Sequence, residues 1–156
     1  MKITQIREKD GVEALSVLDF NLLIEKIKTE IKTRPVTGLR QALHFVLPGE
    51  SCSFAGKLPK VIPAAVFGRV NGVKRMKVYN GIVELTVGPL AGKVEVEMVK
   101  KKAAELPQTM FAYMGSSGNS VKIWTLFTRP DGTLPQTQEE AEIFQACLLY
   151  TSPSPR

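Results

Sequence analysis

Hydrophobic and polar positions recur along this chain with two periods, and the change of period marks its elements. Phe20, Leu23, Ile24, Ile27 and Ile31 fall on one stripe at helical spacing, opposite Glu25, Lys26, Lys28, Glu30 and Lys32. Asp19 stands where an N-cap is needed and Pro35 where a helix must stop. The charges opposite the stripe read as a solvated face. Lys2–Ile6 alternates as a first short strand, and Val36–Val46 reads as a short second helix. Pro48 to Pro63 is rich in Gly, Pro and Ser and reads as loop. Alternation then places strands at Val66–Val70, Lys77–Tyr79 and Ile82–Val87. They are separated by Asn71-Gly72 and Asn80-Gly81, dipeptides that favour the positive φ of tight hairpin turns. Lys93–Leu106 is a further helix, stopped by Pro107. Strand Thr109–Met114, a Gly/Ser loop at Gly115–Ser120 and strand Val121–Thr128 follow. Pro130-Asp131-Gly132 turns the chain, and Thr137 with Glu140 makes a capping box that opens a last helix.

A strand–helix–strand–strand core with further helices defines the expected class as α+β. The expectation is an antiparallel or mixed sheet with helices packed on one face and a ferredoxin- or RRM-like core. No internal repeat or second domain emerges, so residues 1–146 are expected to form a single domain. The tail Cys147–Arg156 matches, residue for residue, the translation of a transposase-type library adapter and is set aside from fold reasoning. On that reading the domain is truncated inside its last helix, as the front part of a longer protein.

Composition narrows the chemistry. Lys and Arg number 21 against 15 Asp and Glu, a net charge of +6, or +5 with Arg156 set aside. That excess permits an anionic partner, although a moderately basic protein is commonplace. Cys52 is the one cysteine outside the tail, which excludes disulfides and cysteine-rich zinc sites and fits a reducing, cytoplasmic compartment. No signal peptide is recognisable, and no apolar run approaches the ~20 residues of a membrane span, so no membrane partner is expected. His44 is the sole histidine, so neither a His-rich metal site nor a Ser-His-Asp triad can be assembled. Gly115–Lys122 has the look of a phosphate loop but lacks the Gly-Lys-Ser/Thr ending and leads into a strand.

The period of two sorts the strand residues by face. Val83, Leu85 and Val87 share one face, with Ile82, Glu84, Thr86 and Gly88 toward the other. Val121, Ile123, Thr125 and Phe127 likewise alternate with Lys122, Trp124 and Leu126. With helices on the first face, Lys122 and Trp124 would lie on the open one, where they suit a phosphate and a stacked base. The commoner arrangement of such a pair is a core tryptophan with a solvated lysine beside it.

Several segments together carry a family resemblance. They are Leu58–Pro63 with Phe67, Tyr79–Val83, Leu106–Thr109, Gly115–Trp124 and Pro130–Gln136. In these the chain resembles the VirE N-terminal domain family, well over Leu58–Ala146 and more loosely over the first fifty residues; the Ser-Gly-x-x-x-Lys segment is the most specific part. The resemblance implies a domain at the front of a mobile-element DNA replication protein, ahead of a helicase-like ATPase module. That family in turn resembles archaeo-eukaryotic primase-polymerases, in which two acids at i and i+2 on a strand hold catalytic metal ions and a later Ser-x-His binds phosphates.

Aligned on Tyr79-Asn80-Gly81, the acidic pair falls on Thr86 and Gly88 and the histidine on Lys122. Thr86 and Gly88 are therefore degenerate metal positions, and catalysis is not expected. No cofactor is expected either, magnesium entering only if the domain is catalytic. The resemblance implies a degenerate primase-polymerase-like module that binds nucleic acid or nucleotide. Ser116, Ser117, Gly118, Asn119, Ser120 and Lys122 would contact phosphate, with Trp124 as a stacking surface. One alternative is an active primase or nucleotidyltransferase using Glu84 with Glu95 or Glu97. Another is a structural docking domain for the downstream ATPase.

Overall fold

The computed structural model describes residues 1–29, 35–43 and 58–151. It begins with an antiparallel hairpin, β1 (Lys2–Lys9) and β2 (Val12–Asp19). The turn is Asp10-Gly11, with φ of 53° and 75°, the double left-handed geometry of a two-residue hairpin turn. β1 is central in its sheet, in the order β2-β1-β3, and Ile3–Ile6 are buried at four successive positions. The exposed remainder of the strand, Arg7–Lys9, is entirely charged and carries no alternation, which is why only its start is legible as a strand.

Asp19 caps helix α1 (Phe20–Lys28) as expected, its carboxylate accepting from the Asn21 amide at 2.9 Å. The helix ends at Thr29, well before Pro35, and Pro35 instead opens α2 (Pro35–Leu43). Proline fits the first helical turn because its missing N–H has no acceptor there. Ile31, His44 and Cys52 lie outside the described residues. The stretch read as loop ends in a short strand, β3 (Lys60–Ile62), on the edge of β1.

A two-stranded ribbon follows, β4 (Ala65–Val70) and β5 (Val73–Tyr79), turned by Asn71-Gly72 with φ of 50° and 77°. The second expected hairpin, at Asn80-Gly81, does not form. β5 pairs only with β4, and the chain crosses there into another sheet. The Asn80 side-chain amide donates to Lys2 O at 2.8 Å and Pro63 O at 3.0 Å, and its backbone N–H to Ala64 O at 2.8 Å. Asn80 thereby ties the start of the chain to the β3–β4 and β5–β6 crossings.

The third sheet holds β6 (Ile82–Val87), β7 (Thr109–Met114) and β8 (Val121–Leu126) in the order β6-β8-β7, with helix α3 (Lys93–Ala104) between β6 and β7. β8 pairs antiparallel with both neighbours, so β6 and β7 run parallel on either side of it: a split β-α-β unit. The α+β class therefore holds, in three small sheets whose ladders are all antiparallel rather than one continuous sheet.

The expectation of helices on a single face is corrected. α3 packs Val96 and Ala103 against Val121 and Ile123. The opposite face carries Trp124 and Ile82, and it is covered by Ile3, Leu18 and Leu23 with Phe20 and Ile27 beside them. Burial of this second face follows from the β1–β2 hairpin, whose Asp-Gly signal went unread in the sequence. Helix α4 (Gln138–Thr151) packs Ala141 and Phe144 on Ala65 and Tyr79 of the ribbon. Half of its capping box forms, Glu140 N donating to Thr137 Oγ1 at 3.2 Å, while the Glu140 carboxylate takes the Gln136 N–H and the Arg129 guanidinium. The helix runs across position 146 without a break; Cys147 is exposed and Leu148 half-buried.

Candidate functional site

β6 and β8 pair in register, Thr86 opposite Lys122 and Glu84 opposite Trp124. Tyr113 of β7 lies opposite Lys122 on its other side. The period of two therefore brings Glu84, Thr86, Lys122, Trp124 and Tyr113 to one face, as the sequence pattern required. Glu84 is the one carboxylate that these three strands carry.

Both of its oxygens are engaged. Lys122 Nζ donates to Oε1 at 2.6 Å, and Trp124 Nε1 donates to Oε2 at 2.8 Å. The ion pair is partly shielded, with side chains 33% and 26% exposed for Lys122 and Glu84. A buried indole N–H needs an acceptor, and a charged acceptor makes the stronger bond. Trp124 itself is fully buried, its ring 5.7 Å from Phe20, 5.9 Å from Phe111 and 6.0 Å from Tyr113. Buried there, it presents no face on which a base could stack; it is the core tryptophan of the commoner pattern. Lys122 is paired rather than solvated. Burial, followed by the negative charge of Glu84, raises the Tyr113 hydroxyl above the ordinary tyrosine range.

The loop between β7 and β8 turns on Gly118 (φ 83°) and is closed by Gly115 N to Ser120 O at 2.9 Å and Gly118 N to Gly115 O at 3.0 Å. Arg40 of α2 reaches it from outside, donating from Nη2 to Gly115 O at 3.1 Å and from Nε to Ser116 O at 3.2 Å. Leu90 N donates to Asn119 O at 2.7 Å, and Ser117 Oγ to Asn119 Oδ1 at 2.6 Å. Ser116, Ser117 and Asn119 are exposed, with Gly118 and Ser120 half-buried. The loop is thus braced through its carbonyls, and Gly115 and Gly118 spend their N–H groups within it. Arg40 was missed in the sequence because it meets the loop across some 75 residues, with no local motif to announce it.

The two positions to which the resemblance assigns the metal carboxylates differ in their surroundings. Thr86 is exposed beside Lys122. Gly88 lies against the loop, where a Cβ would sit 3.0 Å from both Asn119 O and Ser120 Cβ. A carboxylate would not fit there without displacing the loop. Glu95 and Glu97 sit on α3, across the sheet from Glu84; Glu95 accepts from Ala91 N at 2.8 Å and Glu97 pairs with Lys100 at 3.0 Å. The structure does not bring the alternative acids together. Among the described residues, no group of three or more His, Cys, Asp or Glu is placed to hold a metal ion.

Fold and site describe an α+β domain whose third sheet carries one carboxylate, committed to a lysine and a core tryptophan. A family model, the BT4734-like N-terminal domain, matches residues 53–152, and the chain belongs to that family. Comparison with curated proteins and with solved structures gives no match.

Two outcomes follow for stability. Glu84→Ala leaves the buried indole N–H without an acceptor and should cost about 1–3 kcal/mol, whereas Glu84→Gln still offers Trp124 an oxygen and should cost less. Urea denaturation of the two variants measures the difference; equal losses would mean that the indole bond contributes nothing.

The raised Tyr113 hydroxyl adds a pH dependence. Its contribution is complete below the ordinary tyrosine pKa of about 10 and declines above it, because the unfolded chain ionises while folded Tyr113 stays protonated. Tyr79, also raised by burial, acts with the same sign. Tyr113→Phe should therefore flatten, without abolishing, the alkaline fall in the urea midpoint; an unchanged slope would contradict the assignment.

Proposed function

We propose that this domain is a non-catalytic, primase-polymerase-like module of the VirE N-terminal type that binds nucleic acid at the front of a mobile-element replication protein. The observation that carries the absence of catalysis is the commitment of Glu84 to Lys122 and Trp124, with Thr86 and Gly88 where metal carboxylates would stand. Magnesium needs several oxygen ligands in near-octahedral order, and one engaged carboxylate falls short of that. Phosphate binding demands less, since positive charge and donors suffice. Lys122, a third exposed and two residues along the chain from the Gly115–Ser120 loop, is suited to exchange Glu84 for a phosphate. Such a module works in the cytoplasm beside a helicase-like ATPase.

The second reading is a docking domain for that ATPase. It is favoured by the same pair, because a lysine held at 2.6 Å by a carboxylate also serves as a plain structural tie.

Fluorescence anisotropy with labelled oligonucleotides separates the readings. Glu84→Gln should tighten binding by releasing Lys122, and Lys122→Ala should weaken it across all sequences and lower the salt slope by about one unit. Primer extension with magnesium or manganese is expected to be absent; extension that Glu84→Gln abolishes would establish the enzyme instead. No binding at low salt would favour the docking domain.

A further inference from the structure

The strongest uncommitted charge lies outside the β6–β8 site, on the β4–β5 ribbon. From Leu58 to Val83 the chain has five basic residues, Lys60, Arg69, Lys74, Arg75 and Lys77, and no acidic one. Four of them are on the ribbon. Arg69 is used to position it, donating to Gly72 O at 3.0 Å in the turn and to Glu13 O at 3.1 Å on β2. That double tie fixes the tip of the ribbon against the first sheet.

The other cations are set by the ribbon's register. Pairing shifts between Val66 and Phe67, so Lys77 is the extra residue of a bulge opposite them. Its side chain lies across Gly68, in the space that a Cβ there would occupy. Gly68 pairs with Arg75, which places Arg75 and Lys77 side by side over one stretch of backbone. Both are exposed, and neither has an ion-pair partner among the described residues. Lys74 is exposed too, its ammonium 5.1 Å from the centre of the Phe67 ring. Helix α4, with Glu139, Glu140 and Glu142, covers the Phe67 and Met76 side of the ribbon and leaves the Arg75 side to solvent. Val70 and Val73, both more than half exposed, flank the turn on the Arg75 side.

We infer that the β4–β5 ribbon is the surface by which the domain holds duplex DNA, with Arg75 and Lys77 on the phosphates. This rests on the nucleic-acid reading above and adds the surface and the substrate form. A two-stranded ribbon is one of the two elements the major groove of B-DNA admits, whereas the deep, narrow major groove of A-form RNA does not receive side chains. Single strands are held by stacking on exposed aromatic rings, and of the aromatic residues from Phe20 to Phe144 whose side chains are described none is exposed. The exposed valines at the turn offer apolar contact of the kind that thymine methyl groups accept in that groove.

The test compares the intact chain with Arg75→Gln/Lys77→Gln and, as a charge-matched control, Lys101→Gln/Lys102→Gln on α3. Circular dichroism checks that each is folded. The probe is a labelled 20-base-pair DNA duplex, with a single strand and an RNA duplex of the same length. The ribbon variant should weaken DNA-duplex binding about tenfold or more and lower the salt slope by about two units, one for each lost phosphate contact, while the control leaves both unchanged. Binding by the intact chain that the ribbon variant retains in full would overturn the ribbon and leave the nucleic-acid reading standing. Equal losses in the ribbon variant and the control would reduce the effect to net charge and likewise overturn it. Preference for the single strand or for RNA would overturn the duplex-DNA assignment. No binding to any probe at low salt would remove both readings.

Discussion

The carboxylate of Glu84 holds together the two things this domain must reconcile, a buried indole and a partly buried ammonium on adjacent positions of one strand face. Trp124 fills the space between the third sheet and the β1–β2 hairpin, and its N–H would be stranded there without an acceptor. Lys122, two residues away, would lie half-buried with its charge uncompensated. One side chain answers both needs because antiparallel pairing sets Glu84 directly opposite Trp124 and diagonal to Lys122. Removing one partner of such an arrangement costs more than its presence contributes, since what remains is an unpaired polar group in a low dielectric.

On the non-catalytic reading proposed above, this constraint is what makes the face a wall rather than a catalytic floor. In a two-metal site the carboxylates must be left free of cations of their own protein so that they can ligate the metal. Here the available carboxylate is neutralised by a lysine, and the position two residues past Thr86 is a glycine pressed on the Gly115–Ser120 loop. The loop is drawn into the same assembly by Arg40 and Leu90, so α2, the β6–α3 connection and the β7–β8 turn meet at one end of the sheet. Arg75 and Lys77 of the ribbon, by contrast, are exposed and have no ion-pair partner among the described residues.

Much of the third sheet was legible in the residues. Ile82–Val87 and Thr109–Met114 form strands with those bounds, and the alternation assigned Glu84, Thr86, Lys122 and Trp124 to a common face, because period two is a strict property of a strand. The occupancy of that face was not legible. It depends on the β1–β2 hairpin, in which the buried positions of β1 include the polar Thr4 and Gln5 and β2 is exposed at most positions, so neither strand announces a face that covers another sheet. Asp10-Gly11 was the local signal that would have revealed it. Asn80-Gly81 misled in the opposite sense: the same dipeptide chemistry that makes a hairpin at Asn71-Gly72 serves there for a crossing between sheets, and only the long-range bonds of Asn80 distinguish the two. Likewise Arg40 and the loop it braces are joined by tertiary contact alone.

Paramagnetic relaxation at the single tryptophan tests the central claim, that Glu84 serves structure and not metal binding. The chain has one Trp, so the indole N–H resonance of Trp124 is unambiguous, and it lies 2.8 Å from the Glu84 oxygen that a metal would need. On titration with manganese(II) that resonance should persist unbroadened, because its acceptor stays committed to the indole and to Lys122. Selective broadening of the Trp124 indole signal, together with the amides of Thr86 and Lys122, would place a metal ion on Glu84 and contradict the account.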